Sequence, residues 1–185
     1  GDVVAAARQH LGTKIAQFVP AHPIAGAELS GPAAALADLY QGKKVVLTPQ
    51  ADTRADALAT VRALWEAAGA QVETLDAAQH DRVFAAVSHL PHLAAFALVD
   101  ELAQRADGDT FFRFAASGFR DFTRIAGSAP EMWRDIALAN REAVLTELDA
   151  YVVALQSLRQ AVAGEDADAL LTLFSRARSA RENWM

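Results

Sequence analysis

The sequence predicts a mainly α-helical protein with a partial α/β portion at its amino-terminal end. Its 185 residues contain only 6 prolines and 10 glycines, so helix-breaking residues are sparse. Up to Leu75, short strand-like runs alternate with helical patterns, and from Asp76 onwards apolar residues recur only at helical spacing. We therefore expect two domains, an α/β portion over residues 1–75 and an all-helical domain over residues 76–185.

The elements of the α/β portion are predicted from turn residues and from the apolar period of each segment. Gly12, Gly42 and Gly69 stand where three predicted helices end, and Pro49 stops the clearest strand. Three strands are fewer than an independent α/β domain normally needs, so this portion is expected to complete a larger layer. The predicted helices are 3–11, 32–41 and 53–68, and the predicted strands are 17–20, 44–48 and 71–75.

The helical domain is predicted to contain three amphipathic segments. The first covers 77–106 and is interrupted by Pro91, which lacks an amide hydrogen and clashes with the preceding turn. The second covers 130–163 as one helix, and the third covers 166–181. Apolar residues on 130–163 form a stripe wider than one neighbouring helix covers, which favours a homodimer through the carboxyl-terminal helices.

Composition and charge exclude several classes of protein. The formal net charge of -6 is the opposite of the basic surface that nucleic-acid binders use. Cysteine is absent, which excludes disulfides and thiol catalysis. No run of about 18 apolar residues predicts a membrane span, and no signal peptide is recognisable, so a cytoplasmic protein is expected. Because the chain opens on a helical pattern without a start signal, it is also expected to begin inside a larger protein.

The first candidate site is the loop around His22, which follows the predicted strand 17–20. Pro23 and Gly26 constrain this loop, so the imidazole is held in a defined direction, and Glu28 follows closely. Ligands of α/β proteins bind at the carboxyl ends of strands, and imidazole titrates near neutral pH. His22 is therefore a candidate for acid–base catalysis, and a structural loop histidine is the alternative.

The second candidate site is the pair His89 and His92, which lie three residues apart around Pro91. The interruption exposes polar groups in an otherwise apolar helix, so the pair is a candidate substrate contact. Packed, hydrogen-bonded histidines are the alternative interpretation. A metal site needs a further ligand, and none lies at a suitable spacing, so no metal is predicted.

The third candidate site is the segment 117–126 together with the following Trp133. Arg124 presents a planar guanidinium, which pairs with a carboxylate through two parallel hydrogen bonds. Asp121 lies one helical turn earlier and is placed to orient Arg124. A solvated, charged helix face has the same spacing, so the spacing alone leaves both interpretations open.

Together, these three segments resemble the prephenate and arogenate dehydrogenase family. The resemblance covers nearly the whole chain and rests on three strings that occur in this order. They are His22-Pro23-Ile24-Ala25-Gly26 with Glu28 and Ser30-Gly31, then Ser88-His89-Leu90-Pro91-His92, then Gly118-Phe119-Arg120-Asp121-Phe122-Thr123-Arg124-Ile125-Ala126 with Trp133-Arg134-Asp135.

The resemblance implies an enzyme of tyrosine biosynthesis that uses NAD or NADP to convert prephenate to 4-hydroxyphenylpyruvate. The ring loses hydride from C4 and carbon dioxide from C1 in this reaction. By the resemblance, His22 would withdraw the proton of the ring 4-hydroxyl, Arg124 would bind a substrate carboxylate and His92 would contact the substrate side chain. The other implied roles are a pocket wall for Trp133, a further substrate contact for His89, cofactor contacts for Pro23 and Gly26, and support from Glu28 and Asp121.

The resemblance also implies the remnant of a Rossmann-type domain followed by an all-helical dimerisation domain. The G-x-G-x-x-G turn that seats the cofactor pyrophosphate does not occur in these 185 residues. The catalytic serine of the family is expected just before Gly1. We therefore expect this polypeptide to be a fragment that binds NAD poorly and is nearly inactive by itself.

Three alternatives to a prephenate dehydrogenase stay open at this point. An arogenate or dual-specificity cyclohexadienyl dehydrogenase has the same motifs, because the substrates differ only in a side-chain keto or amino group. A helical dimerisation or scaffold module would leave His22 and Arg124 far apart, whereas the enzyme needs both at one cleft. Another member of the wider β-hydroxyacid or ketol-acid dehydrogenase group does not account for the His22 loop.

Overall fold

The structure is a computed structural model and describes residues 1–26 and 35–184. A small three-stranded sheet near the amino terminus is followed by helices, which confirms the predicted fold class. The strands are β1 (Ala21–Pro23), β2 (Lys44–Leu47) and β3 (Gln71–Thr74). The helices are α1 (Asp2–Leu11), α2 (Ala55–Ala67), α3 (Ala77–Phe84), α4 (Leu90–Ala103), α5 (Gly108–Phe114), α6 (Ser117–Thr123), α7 (Pro130–Ala139), α8 (Arg141–Ala163) and α9 (Ala167–Trp184).

The sheet has β2 at its centre, parallel to β3 and antiparallel to β1. Val45 and Leu47 on β2 are fully buried, because α2 packs Leu58 and Trp65 against them. Arg62 of α2 donates a hydrogen bond of 3.0 Å to a carbonyl of β3, which ties the crossover helix to the sheet. Burial of these β-branched and aliphatic side chains stabilises the layer that carries the first candidate site.

The strand predicted for 17–20 is wrong, since the chain continues from α1 into a 3₁₀ helix, Gly12–Gln17, and the strand begins at Ala21. Gly12 permits this path because its φ is 51°, a left-handed conformation that favours glycine. His22 therefore lies within an edge strand, where the sequence placed it in a loop. An edge position also suits Pro23, which has no amide hydrogen for a ladder.

The helix predicted for 32–41 is wrong over its described part, where residues 37–42 form turns. The amide of Gly42 donates to the carbonyl of Gly69 at 2.9 Å. This bond comes from a distant chain segment, and such tertiary contacts override the weak helical propensity of a short segment. Residues 32–34 lie outside the described residues.

The first segment of the helical part is one continuous stretch, Ala77–Ala103, that contains a π-helical segment, Ala85–His89. The Asp76 side chain accepts a 2.7 Å hydrogen bond from the Gln79 amide and so begins α3. Pro91 lies in the first turn of α4. The irregularity predicted at the proline thus takes the form of a π-helical segment just before it, a feature common at functional sites.

The same stretch is long and apolar enough, by length and composition, to cross a membrane. This differs from the sequence expectation, which required a strictly apolar run. Core helices of soluble proteins can have the same length and apolar composition. In this stretch, 17% of the most apolar part is buried within the described structure. The stretch carries the polar groups His80, Asp81, His89 and His92 at the candidate site.

The single helix predicted for 130–163 is wrong, because the chain breaks at Asn140 between α7 and α8. Asn140 has φ -110° and ψ 33°, and its side-chain amide donates to the Asp81 carbonyl at 2.8 Å. Asparagine side chains compete with helical backbone bonds, and this long-range bond gives the break a fixed partner. Helical periodicity continues across the break, which is why the pattern alone does not reveal it.

The chain forms two compact units, Gly1–Val144 and the segment from Leu145 onwards. The second unit consists of the rest of α8 followed by α9, and the Asp166 side chain caps α9 by accepting a 2.9 Å bond from the Ala169 amide. Many of its large apolar side chains are exposed. They are Leu145, Val152, Val153, Leu155, Val162, Leu171, Phe174 and Trp184.

Candidate active site

A cavity of about 610 Å³ lies in the first unit, which is a volume typical of small-molecule sites. Most of its wall is apolar and comes from α1, α7 and the chain just before β1. The polar groups that converge on this apolar wall include three imidazoles, those of His22, His80 and His89. Convergence of titratable groups on an apolar cavity is the usual pattern of a catalytic site.

His22 reaches the cavity from β1, where its backbone lies opposite Val46 of β2. Its ring Nδ1 lies 2.8 Å from Nε2 of His80. The ring of Phe84 packs against it with centroids 4.7 Å apart. Strand pairing and these two ring contacts therefore hold the imidazole in one orientation while one side of it stays exposed.

The pKa of His22 is lowered from its ordinary value of 6.5. The first cause is partial desolvation, since Phe84 and His80 remove water from one side of the ring, and a buried cation is disfavoured. Charges that His80 and His89 acquire on protonation lower it further. His22 is therefore neutral at neutral pH and can accept a proton.

His80 is a site residue that the sequence analysis missed. Its Nδ1 lies 2.9 Å from an oxygen of the adjacent Asp81, and only 19% of its side chain is exposed. A sequence signal did exist, because Asp76 fixes the start of α3 and so places His80 and Phe84 on one face. The tilt of both rings against each other, with centroids 4.6 Å apart, confirms that shared face.

His89 lies at the end of the π-helical segment and lines the same cavity. The side-chain amide of Asn140 donates to its Nδ1 over 3.3 Å. Desolvation is the main cause that lowers its pKa, followed by the charge of His80, while Asp81 acts in the opposite direction. A π turn contains one more residue than an α turn, so the side chains after it are rotated around the helix axis. His89, nine residues after His80, therefore lines the same cavity as His80.

His92 and Trp133 form a stacked pair, with ring centroids 3.6 Å apart and planes inclined by 19°. The Nδ1 hydrogen of His92 is donated to the Ser88 carbonyl at 2.9 Å. Trp133 is only 7% exposed, and within residues 1–26 and 35–184 its Nε1 hydrogen has no acceptor. The stack is thus firmly placed by the hydrogen bond of His92 and by the burial of Trp133.

Arg124 is the first residue of a 3₁₀ turn that follows α6. Its charge lowers the pKa of His92, after desolvation as the larger cause, so the guanidinium lies near the stacked pair. Asp121 is an exposed residue of α6, three positions earlier in the chain. The sequence-predicted contact between these two side chains stays a prediction.

The predicted residues therefore form two adjacent groups in the first unit. His22 and His89 line the cavity, whereas His92, Trp133 and Arg124 do not belong to its lining. His89 connects the groups, because its ring lies edge-on to Trp133 at 6.2 Å and the charge of protonated His92 lowers its pKa. The expectation that His22 and Arg124 share one cleft stays a prediction, because Arg124 is not among the residues that line this cavity.

The loop after β1 is described only in part. Pro23 is half-buried and pairs with Val45 of β2, and Gly26 is exposed. An added Cβ at Gly26 would meet no described atom within 4 Å, so the chain is open on that side. Glu28, Ser30 and Gly31, which belong to the same motif, lie outside the described residues. The described ranges also contain no group of three or more histidine and carboxylate side chains that could hold a metal ion.

Comparison with known proteins assigns the family. Residues 76–176 match the family described as prephenate dehydrogenase, dimerization domain, and residues 1–74 match the family described as prephenate dehydrogenase, nucleotide-binding domain. The chain belongs to the prephenate dehydrogenase family. The motifs around His22, His89 and Arg124 are thus those of a prephenate dehydrogenase family member, and the resemblance inferred from them is confirmed.

Individual members of the prephenate dehydrogenase family are similar over most of this chain. A cyclohexadienyl dehydrogenase of Zymomonas mobilis is 41% identical over 89% of this chain and 57% of its own length. A prephenate dehydrogenase of A. aeolicus, solved with hydroxyphenyl propionate and NAD+, superposes with a TM-score of 0.91 at 40% identity over 100% of this chain and 64% of its own. For an arogenate dehydrogenase of Synechocystis, the TM-score is 0.82 at 30% identity over 97% of this chain and 64% of its own. This chain therefore spans roughly three fifths of the length of these relatives.

Proposed function

We propose that this chain is the substrate-binding and dimer-forming part of an NAD-dependent prephenate dehydrogenase. The observation that carries the proposal is the imidazole of His22, which packs against Phe84 at the wall of the cavity with one side open to a ligand. Within the protein, residues 1–75 would form the end of the nucleotide-binding domain, and residues 76–185 the helical substrate-binding and dimerisation domain.

The reaction is the oxidative decarboxylation of prephenate to 4-hydroxyphenylpyruvate. A bound nicotinamide supplies the acceptor for the hydride that leaves C4. His22 accepts the hydrogen bond of the ring 4-hydroxyl and takes its proton as the hydride departs, and it returns the proton to the phenol oxygen after carbon dioxide is lost from C1. The lowered pKa of His22 suits this role, because the neutral form is the competent base.

The group around Arg124 is proposed to bind the substrate side chain. The guanidinium of Arg124 pairs with a carboxylate of the substrate through two parallel hydrogen bonds. His92, with Nδ1 held by the Ser88 carbonyl, presents Nε2 to a polar atom of the side chain. A dianion that spans the distance from His22 to Arg124 would use both groups, which a pure dimerisation module does not need.

NAD is the proposed cofactor, by analogy with the NAD+ named for the A. aeolicus relative. Pro23 and Gly26 would lie against it, because they bracket the open side of the chain after β1. NADP is the alternative, and the segment that discriminates the ribose 2′ position is not among the motifs of this chain. No metal is part of the proposal.

Arogenate is the second candidate substrate. The relatives carry three names, which are prephenate, cyclohexadienyl and arogenate dehydrogenase. Prephenate and arogenate differ only in a side-chain keto or amino group, so the residues facing that group decide the preference. The exposed apolar side chains of α8 and α9 support the proposed homodimer, because a partner subunit would remove them from water.

An assay of the complete gene product tests the proposed function. With prephenate and NAD, we expect formation of NADH and 4-hydroxyphenylpyruvate, and we expect the 185-residue polypeptide alone to bind NAD poorly and to be nearly inactive. Parallel reactions with arogenate and with NADP assign the substrate and cofactor. Absence of turnover with every combination would contradict the proposal.

The pH dependence of this activity follows from the pKa of His22. Because neutral His22 is the competent form, kcat/KM should rise with pH through a pKa below 6.5 and reach a plateau at neutral pH. The measurement is kcat/KM for prephenate across acidic and neutral pH in buffers of constant ionic strength. An acidic limb centred above 6.5 would mean that His22 is not desolvated in the working enzyme.

A further inference from the structure

A hydrogen-bonded chain of three side chains leads from the cavity into α3. His22 Nδ1 lies 2.8 Å from Nε2 of His80, and His80 Nδ1 lies 2.9 Å from an oxygen of Asp81. Both distances are those of good hydrogen bonds. The chain therefore connects the proposed base, through one imidazole, to a carboxylate.

The order of donors and acceptors in this chain follows from the carboxylate at its end. Ionised Asp81 only accepts, so His80 must carry its hydrogen on Nδ1. Neutral His80 then has a lone pair on Nε2, and His22 must donate its Nδ1 hydrogen to it. The remaining nitrogen of His22, Nε2, is consequently left with a free lone pair for a substrate hydroxyl.

The three groups are held firmly enough for this order to persist. Phe84 packs against both imidazoles, with centroids 4.7 Å from His22 and 4.6 Å from His80. Side-chain exposure is 19% for His80 and 34% for Asp81, so their hydrogen bond is partly shielded from water. Asp81 is also fixed through its backbone, since its carbonyl accepts the 2.8 Å bond from Asn140.

We propose that His80 and Asp81 are positioning residues that fix the tautomer of His22. During the reaction, His80 accepts the Nδ1 proton of His22, and Asp81 stabilises the charge that His80 acquires. This inference rests on the proposed function, because it assigns to His22 the role of base. As the O–H bond of the substrate breaks, an N–H bond forms at His22 Nε2. The Nδ1–H bond of His22 breaks at the same time, and an N–H bond forms at His80 Nε2. The ring of His80 is then an imidazolium cation, hydrogen-bonded to Asp81 through its Nδ1.

Both histidines return to their starting protonation states when the product phenol forms. The proton on His80 Nε2 returns to His22 Nδ1, and the proton on His22 Nε2 passes to the phenol oxygen. The two electrons leave with the hydride. The positive charge therefore never rests on the desolvated ring of His22 alone, and the carboxylate of Asp81 stabilises it one residue away.

Within the part of the chain that the structure describes, the titratable groups that line the cavity with His22 come from three elements. Asp2 lies on α1, and the terminal ammonium of Gly1 lies 3.5 Å from the second carboxylate oxygen of Asp81. His80 and Asp81 come from α3, and His89 comes from the π-helical segment. Protonation of His89 repels a proton on His22, whereas Asp81 attracts a proton to the pair formed by His22 and His80. Removal of the Asp81 charge should thus move the acidic limb of the pH profile to lower pH.

The direct test is the tautomer of His22, read from ring ¹⁵N chemical shifts of the complete gene product at neutral pH without substrate. We expect a protonated Nδ1 and an unprotonated Nε2 for His22, and the same pattern for His80. The assignment comes from the loss of one ring signal in the His22→Asn protein. A wild-type His22 with its hydrogen on Nε2 would overturn the proposal, and this readout needs no variant of the positioning residues to fold.

The second test is Asp81→Asn, with the exposed Asp100→Asn on α4 as the matched control for loss of one carboxylate. The new amide can donate to His80 Nδ1, which reverses both tautomers and blocks His22 Nε2. We expect kcat to fall about 10²–10⁴-fold with KM changed less than about threefold, and the acidic limb to move to lower pH. Asp100→Asn should leave kcat and the limb unchanged.

The outcomes separate this inference from the proposed function. If the wild type oxidises prephenate and His22→Asn does not, while Asp81→Asn keeps a wild-type kcat and acidic limb, the inference on the positioning residues fails alone. If the wild type itself shows no dehydrogenase activity, the proposed function fails. A lowered kcat with an unmoved limb and unchanged tautomers would assign Asp81 a purely structural role and overturn the inference.

Discussion

Replacing His22 by asparagine is expected to lower kcat for prephenate oxidation by about 10²–10⁴-fold, the usual contribution of a positioned base. The variant keeps a polar side chain of similar size on β1 but has no group that accepts a proton near neutral pH. The pairing of β1 with β2 uses backbone atoms only, so the sheet should form normally. The measurement is steady-state kcat and KM on the complete gene product.

A matched control for His22→Asn is His10→Asn. His10 is an exposed residue of α1 and is not part of the cavity lining. This control should have wild-type kcat, KM and thermal midpoint. A His22→Asn protein with kcat within about threefold of wild type would remove the imidazole from the mechanism, because general-base catalysis contributes at least 10²-fold as a rule.

The Arg124→Ala substitution is expected to weaken binding of prephenate or hydroxyphenylpyruvate by roughly 2–5 kcal/mol, the cost of removing one partner of a charge pair that loses its water when the substrate binds. This corresponds to an increase of about 30- to several-thousand-fold in Kd. The reason is that the substrate carboxylate would lose water on entering the site beside Trp133 without forming an ion pair with the Arg124 guanidinium. Titration calorimetry, or KM where turnover is measurable, gives the value.

Two further arginine variants define what Arg124 contributes. Arg124→Lys keeps the positive charge but loses the planar fork, so it should recover only part of the affinity. Arg178→Ala removes an arginine of α9 whose side chain is 80% exposed, and it should leave the affinity unchanged. Equal affinity of wild type and Arg124→Ala would contradict the carboxylate role and would leave Arg124 as a charge that only tunes His92.

Local sequence patterns predicted much of the fold. The strands near 44–48 and 71–75 and the helix near 53–68 form where turn residues and apolar spacing placed them. These elements depend on residues close in the chain, so local chemistry is sufficient to specify them. The predictions of a strand at 17–20 and of a helix at 32–41 were wrong over the described residues. Pairing of β1 with β2 and the bond from Gly42 to Gly69 decide the structure of these short segments.

The candidate site shows the same division. His22, His89, His92 and Trp133 could be selected from the sequence, because their motifs are specific to the family. The capping signal at Asp76 places His80 on one helix face with Phe84, but it does not show that His80 contacts His22, which is 58 residues away. Asn140 has no such signal, and its partner His89 is 51 residues away. No periodicity in a single sequence reports a hydrogen bond between segments so far apart.

By itself, then, the sequence determined the fold class, the family motifs and the helices that begin and end at local signals, since these follow from neighbouring residues. Only the tertiary structure decided that the helix around His89 contains a π turn and that α7 ends at Asn140. It also decided that Asp81 reaches the proposed base through His80. The physical reason is that long-range hydrogen bonds and ring packing decide where a helix changes or ends and which nitrogen of a histidine carries the lone pair. The spacing of neighbouring residues in the sequence specifies neither of these.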